Sequence, residues 1–206
     1  MKRIYVIGDS ISIQYGPYLK KYLQGVMAYS RKEGDAEARL NLDRPQGANG
    51  GDSAMVLAYL RAQANAGGLS ADVLLLNCGL HDIKTKIGTG QKQVPLDQYR
   101  ENLQQIVALV RQIGLQLVWL RSTPVDDKIH NHPGMDFHRF GADGRAYNEA
   151  ADEIMRAAGI PIIDLYNFTL NLGDNLFCDH AHFHEHIREK QAAYIAGWLA
   201  GWLATG

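Results

Sequence analysis

The stretch Arg3-Ile4-Tyr5-Val6-Ile7-Gly8-Asp9-Ser10 decides how this chain folds. Five residues of strand character run into Gly-Asp, a pair that signals a turn. The run is largely apolar rather than alternating, as expected of a strand covered on both faces in a parallel sheet. Apolar runs of strand length recur at 73–76, 115–120 and 160–163, with a weaker candidate at 39–42. Helical patterns lie between them, at 15–23, 52–66, 97–113, 142–158 and 184–203. Alternating strand and helix means an α/β layered fold. The expected architecture is three-layer α/β/α, with five parallel strands in a flavodoxin-like order.

In such sheets the ligand crevice lies outside the carboxyl ends of the strands. Ser10, on the turn after the first strand, is then placed for chemistry. The bulk properties leave room for an enzyme and remove other classes. The 206 residues suit one domain, 1–206, with a sizeable core. The composition, 46% apolar and 21% charged, is ordinary for a globular protein. A formal charge of −1 gives no electrostatic reason to expect nucleic acid or an anionic membrane as partner. No apolar stretch is long enough to span a bilayer. Met1-Lys2-Arg3 runs straight into the strand, so no signal peptide is expected and a cytoplasmic location is the simple reading. Cys78 and Cys178 make no disulfide framework and are expected as buried thiols. No cofactor is expected.

A serine becomes a nucleophile when a base takes its proton, and the base needs a third group to fix its tautomer. The segment Asp179-His180-Ala181-His182 supplies both partners. Asp179 and His182 stand side by side if the segment is a helical turn. The oxyanion of acyl transfer needs preorganised donors. Candidates are the Ser10 amide, the Gly51 amide in Gly47-Ala48-Asn49-Gly50-Gly51, and His81 in Asn77-Cys78-Gly79-Leu80-His81-Asp82. All fall at strand ends or in the following loops, so one crevice can hold them.

Taken in this order, the four blocks resemble the SGNH/GDSL hydrolase family over nearly the full chain. The resemblance implies Ser10 as nucleophile, Gly51 as the glycine of the second block, and Asp179 and His182 as orienter and base. One block departs. The family's usual Gly-x-Asn-Asp reads Gly79-Leu80-His81-Asp82 here, so His81 stands at the oxyanion asparagine position. A neutral imidazole still offers one N–H, while an imidazolium would donate from both nitrogens and add pH sensitivity. Asp9 matches a residue that is mainly structural in the family.

The implied activity is a serine esterase acting on a small-molecule ester through an acyl-enzyme. A small acyl group, carried by an acetylated carbohydrate, is the favoured substrate, with Trp119, Tyr166 and the histidine-bearing loop 122–140 as candidate site lining. That loop (His130, His132, His138) reads equally as a lid or as a solvated surface loop. Acyl transfer to a bound alcohol would use the same residues. A metal-dependent phosphoesterase is the alternative from another class. Alternate histidines in 180–186 would face one way on a strand and hold a metal, but the helical pattern after them splays them, and no metal is expected. A non-catalytic module that keeps the fold is the third reading. Trp198 and Trp202 share one helical face and are expected to pack on the sheet. A homo-oligomeric contact is the other reading of that face.

Overall fold

The computed structural model describes residues 1–205. The sheet is built from β1 (Arg3–Ile7), β2 (Ala28–Arg31), β3 (Val73–Leu76), β5 (Gln116–Leu120) and β7 (Ile162–Ile163), all parallel, in the order β2-β1-β3-β5-β7. This is the expected flavodoxin-like order. A separate antiparallel pair, β4 (Thr85–Lys86) with β6 (Phe137–His138), lies outside the sheet. Every residue of β3 is buried, as a central parallel strand requires.

The helices are α1 (Ser10–Tyr22), α2 (Asp35–Leu40), α3 (Ser53–Asn65), α4 (Leu96–Gln112), α5 (Asp127–His130), α6 (Gly141–Ala157), α7 (Leu165–Leu170) and α8 (Glu185–Thr205). They form two groups, α1 and α7 packed on α8, and α3 and α6 packed on α4. Trp198 and Trp202 are partly buried against the core with their rings stacked, and Lys2 covers Trp202.

Several expectations change. Residues 39–42 form no strand: Arg39 and Leu40 end α2 instead, and the missing strand is β2, Ala28–Arg31. That strand has no fully buried residue, so its place on the sheet edge comes from pairing with β1 rather than from an apolar pattern. The first helix starts five residues earlier than expected. Asp9 is its N-cap, its Oδ1 accepting the Ile11 amide at 3.0 Å, so Ser10 is the first helical residue rather than part of a turn. Pro17 inside α1 has no N–H to give to Ile13 O, and the Arg39 guanidinium donates to that carbonyl at 3.0 Å instead. Trp119 is fully buried between Leu76 and Ile162 in the sheet and lines no site. Cys78 is buried as expected, but Cys178 is exposed.

Candidate active site

Ser10 reaches the site because β1 ends at Ile7 and α1 begins three residues later. Gly8 makes the tight passage possible: a Cβ there would sit 2.8 Å from Ser12 Cβ. The Ser10 amide is one of the first-turn N–H groups of α1 that lack an intrahelical acceptor.

The partners come from the other end of the chain. His182 Nε2 lies 2.9 Å from Ser10 Oγ, and His182 Nδ1 lies 2.9 Å from Asp179 Oδ2. Ser10 and His182 are buried, whereas the Asp179 side chain is 43% exposed. Residues 179–182 are neither helix nor extended strand. They form a bend closed by a bridge between Phe177 and Phe183 and by the Cys178 amide donating to His182 O at 2.8 Å. Asp179 Oδ1 stabilises the bend by accepting the amides of Ala181 (2.9 Å) and His182 (2.8 Å). One carboxylate therefore shapes its own loop and orients the ring. Burial pushes the Asp179 carboxyl up, but the bond from the His182 ring and the two amides outweigh this and hold it well below the usual carboxylate range.

The three candidate oxyanion donors differ in their present engagement. Ser10 N donates to no protein atom among the described residues. Gly51 sits at φ +72°, and a Cβ there would meet Met55 Sδ at 2.6 Å and Pro45 Cβ at 2.8 Å, so only glycine fits. Its amide donates to Asn49 Oδ1 at 3.0 Å, so any stabilisation of an oxyanion requires it to be shared. His81 is almost fully buried, and its Nδ1 has no partner. Burial, with the nearby charges of Lys84 and Arg139, pushes its pKa well below the ordinary histidine value. That direction favours the neutral ring, which carries one N–H. Asp82 beside it accepts the Ser53 amide through both oxygens (2.9 and 3.1 Å), tying the 79–82 turn to the start of α3.

Residues 122–140 are neither structureless nor merely solvated. Asp126 caps α5, and Asn131 clamps Arg139 by donating to its carbonyl (2.7 Å) and accepting its amide (2.9 Å). Of the three histidines, His132 is exposed, His138 packs on Phe140, and His130 is fully buried. His130 Nδ1 meets His180 Nδ1 at 3.0 Å, and His180 Nε2 meets Asp43 Oδ2 at 3.1 Å. Tyr166 packs under Arg121, its ring 5.5 Å from the guanidinium carbon. Sequence reasoning missed Arg139, Asp43 and the His130–His180 contact. Their sequence separations carry no periodic signal, and only the folded path of 122–140 brings them together.

Among the described residues one group of potential metal ligands converges: Asp179, His180 and His182. Their donor atoms are already engaged with one another, with Ser10, with Asp43 and with His130. A cation would have to break the arrangement around Ser10.

The sequence matches the GDSL-like Lipase/Acylhydrolase family over residues 6–189. The chain belongs to that family. It is an ester hydrolase of the GDSL type, and its five-stranded parallel sheet is the family's fold. No curated protein matches its sequence. Similar solved structures include the lipase/acylhydrolase from Enterococcus faecalis, with TM-score 0.72 and 18% identity, covering 98% of this chain and 97% of that one. The psychrotrophic esterase EstA from Pseudoalteromonas sp. superposes with TM-score 0.68 at 12% identity, covering 99% and 100% of the two chains. The acetyl xylan esterase AlAXEase gives 0.66 at 14% identity, covering 95% and 98%. At these identities the structures share the fold. Among the described residues, no helix of this GDSL hydrolase is long and apolar enough to cross a membrane.

Proposed function

We propose that this GDSL hydrolase is a serine esterase working through Ser10, His182 and Asp179. The carrying observation is the continuous chain from Ser10 Oγ through His182 Nε2 and Nδ1 to Asp179 Oδ2, with both contacts at 2.9 Å. His182 Nε2 removes the Ser10 proton as Oγ attacks the ester carbonyl. Asp179 holds Nδ1–H and stabilises the imidazolium that forms. The Ser10 amide, His81 and a shared Gly51 amide stabilise the oxyanion. Collapse of the tetrahedral intermediate releases the alcohol, which takes its proton from His182. Water, activated by the same ring, then frees the acid and restores Ser10.

A small acyl group is the substrate class of this reading. The shared fold of an acetyl xylan esterase agrees with an acetylated carbohydrate as substrate. Hydrolysis of p-nitrophenyl acetate tests the reading. Activity is expected to vanish in Ser10→Ala and to persist in chelator. Activity that survives Ser10→Ala and dies with chelator would overturn the serine mechanism in favour of a metal-dependent one.

A further inference from the structure

Arg139 is 4% exposed, yet it forms no ion pair among the described residues. Its Nε donates to Leu80 O at 2.7 Å, which anchors the side chain one residue from His81. The guanidinium carbon lies 4.9 Å from the centre of the Phe137 ring, and Lys84 Nζ lies 4.4 Å from the same centre. Nη1 and Nη2 donate to no protein atom among the described residues, and neither is sealed from solvent. A cation this deep without a counter-ion is strongly penalised by lost hydration. A second cation on the same ring adds to the cost.

Asp43 and Asp9 ease that cost from a distance, and neither forms an ion pair with the guanidinium among the described residues. Asp43 has its Oδ2 on His180, and Lys84 takes the Asp43 carbonyl rather than its carboxylate. Asp9 is buried, and burial pushes its carboxyl up while Arg139 acts against that shift. Both Asp9, the residue before Ser10, and His81 lie within the electrostatic reach of Arg139. The guanidinium is therefore fixed by Leu80 O, one residue from His81, with two donors that no protein group takes among the described residues, a fork suited to a planar anion.

We propose that Arg139 forms an anion subsite next to Ser10, and that the ester this enzyme serves carries a carboxylate near the scissile bond. This rests on the esterase reading above. It assigns specificity to Arg139, with Lys84 strengthening the local field.

Two matched pairs of esters test it on the full chain: mono-p-nitrophenyl glutarate against p-nitrophenyl butyrate, and 4-acetoxybenzoate against its methyl ester. The first places the charge on the acyl side and the second on the alcohol side. At least one anionic ester is expected to exceed its neutral partner by about ten-fold or more in kcat/KM, the worth of one charge-assisted hydrogen bond. That ratio should fall toward one in Arg139→Gln and decrease with added salt. Arg139→Lys keeps the charge and loses the fork, and should retain part of the preference. If Arg139→Gln does not fold, the lysine variant and the wild-type salt dependence decide. Ratios at or below one in both pairs, or a preference untouched by the Arg139 substitutions and by salt, would overturn the subsite. If no ester of either pair turns over, the esterase reading fails separately. Calorimetric titration of 4-acetoxybenzoate into Ser10→Ala protein then judges the subsite: binding that Arg139→Gln removes supports it, and no binding overturns it.

Discussion

Replacing Asp179 by Asn separates orientation of the base from integrity of the loop. Asp179 Oδ1 accepts the Ala181 and His182 amides at 2.9 and 2.8 Å, and an Asn Oδ1 accepts both equally well. The bend over 179–182 therefore survives. The weaker neutral bonds cost about 1–2 kcal/mol at most, and the 43% exposure of the side chain reduces that further. The second side-chain atom behaves differently. His182 Nδ1 meets Asp179 Oδ2 at 2.9 Å and Oδ1 at 3.0 Å; in Asn the Oδ1 is already shared by two amides, and an Asn Nδ2 in place of Oδ2 donates, which favours Nδ1 as the acceptor. The ring proton then moves to Nε2, which faces Ser10 Oγ at 2.9 Å. Nε2 no longer has a lone pair with which to take the serine proton. A loss of about 10⁴ in kcat is expected, the scale on which a wrong tautomer disables such a base. The assay is p-nitrophenyl acetate hydrolysis on wild type and Asp179→Asn, with thermal melts to show that the fold is kept. A folded Asp179→Asn protein within ten-fold of wild type would refute the assignment of Asp179 as orienter.

His81→Ala should lower kcat by about 10²–10³, the cost of one oxyanion donor, and His81→Asn should cost less because an amide N–H can replace the ring N–H. Equal rates for the three proteins, measured by steady-state kinetics, would remove His81 from the hole. Asp82 gives a stability prediction. Burial pushes its carboxyl up to about 7, against an unfolded value of 3.8. The native state thus keeps a proton that the unfolded chain has released between about pH 4 and 7, and this part of the stability is lost as pH rises through that window, up to about 4 kcal/mol. Urea melts of wild type should lose stability over that range relative to Asp82→Asn, and parallel pH profiles for the two proteins would contradict the burial argument.

What the sequence reveals follows from how locally each feature is determined. The strands β1, β3 and β5 sit inside the sheet, so both faces must be apolar and the runs are visible. The edge strand Ala28-Tyr29-Ser30-Arg31 leaves a polar residue exposed and is held by its backbone register with β1, which no pattern of side chains records. Residues 39–42 mimic a strand because Leu40 and Leu42 alternate with polar neighbours, yet Leu40 is exposed at the end of α2. In the site, Ser10, Asp179 and His182 are legible because each lies in a short motif beside a strand end or helix start. Trp119 misleads because an aromatic near a strand's carboxyl end reads as site lining, whereas the sheet closes over it on both sides. Arg139 and the His130–His180 contact are invisible in sequence, since they depend on how 122–140 folds back onto the 80–82 turn and the histidine bend.

The central claim is that Ser10 is an activated nucleophile. The most direct measurement is labelling with a fluorophosphonate probe, followed by intact mass and peptide mapping, on wild type, Ser10→Ala and heat-denatured protein. The account predicts one adduct on Ser10 in folded wild type and none in the other two samples. A folded wild-type protein that takes no label, or that labels equally well without Ser10, would contradict it.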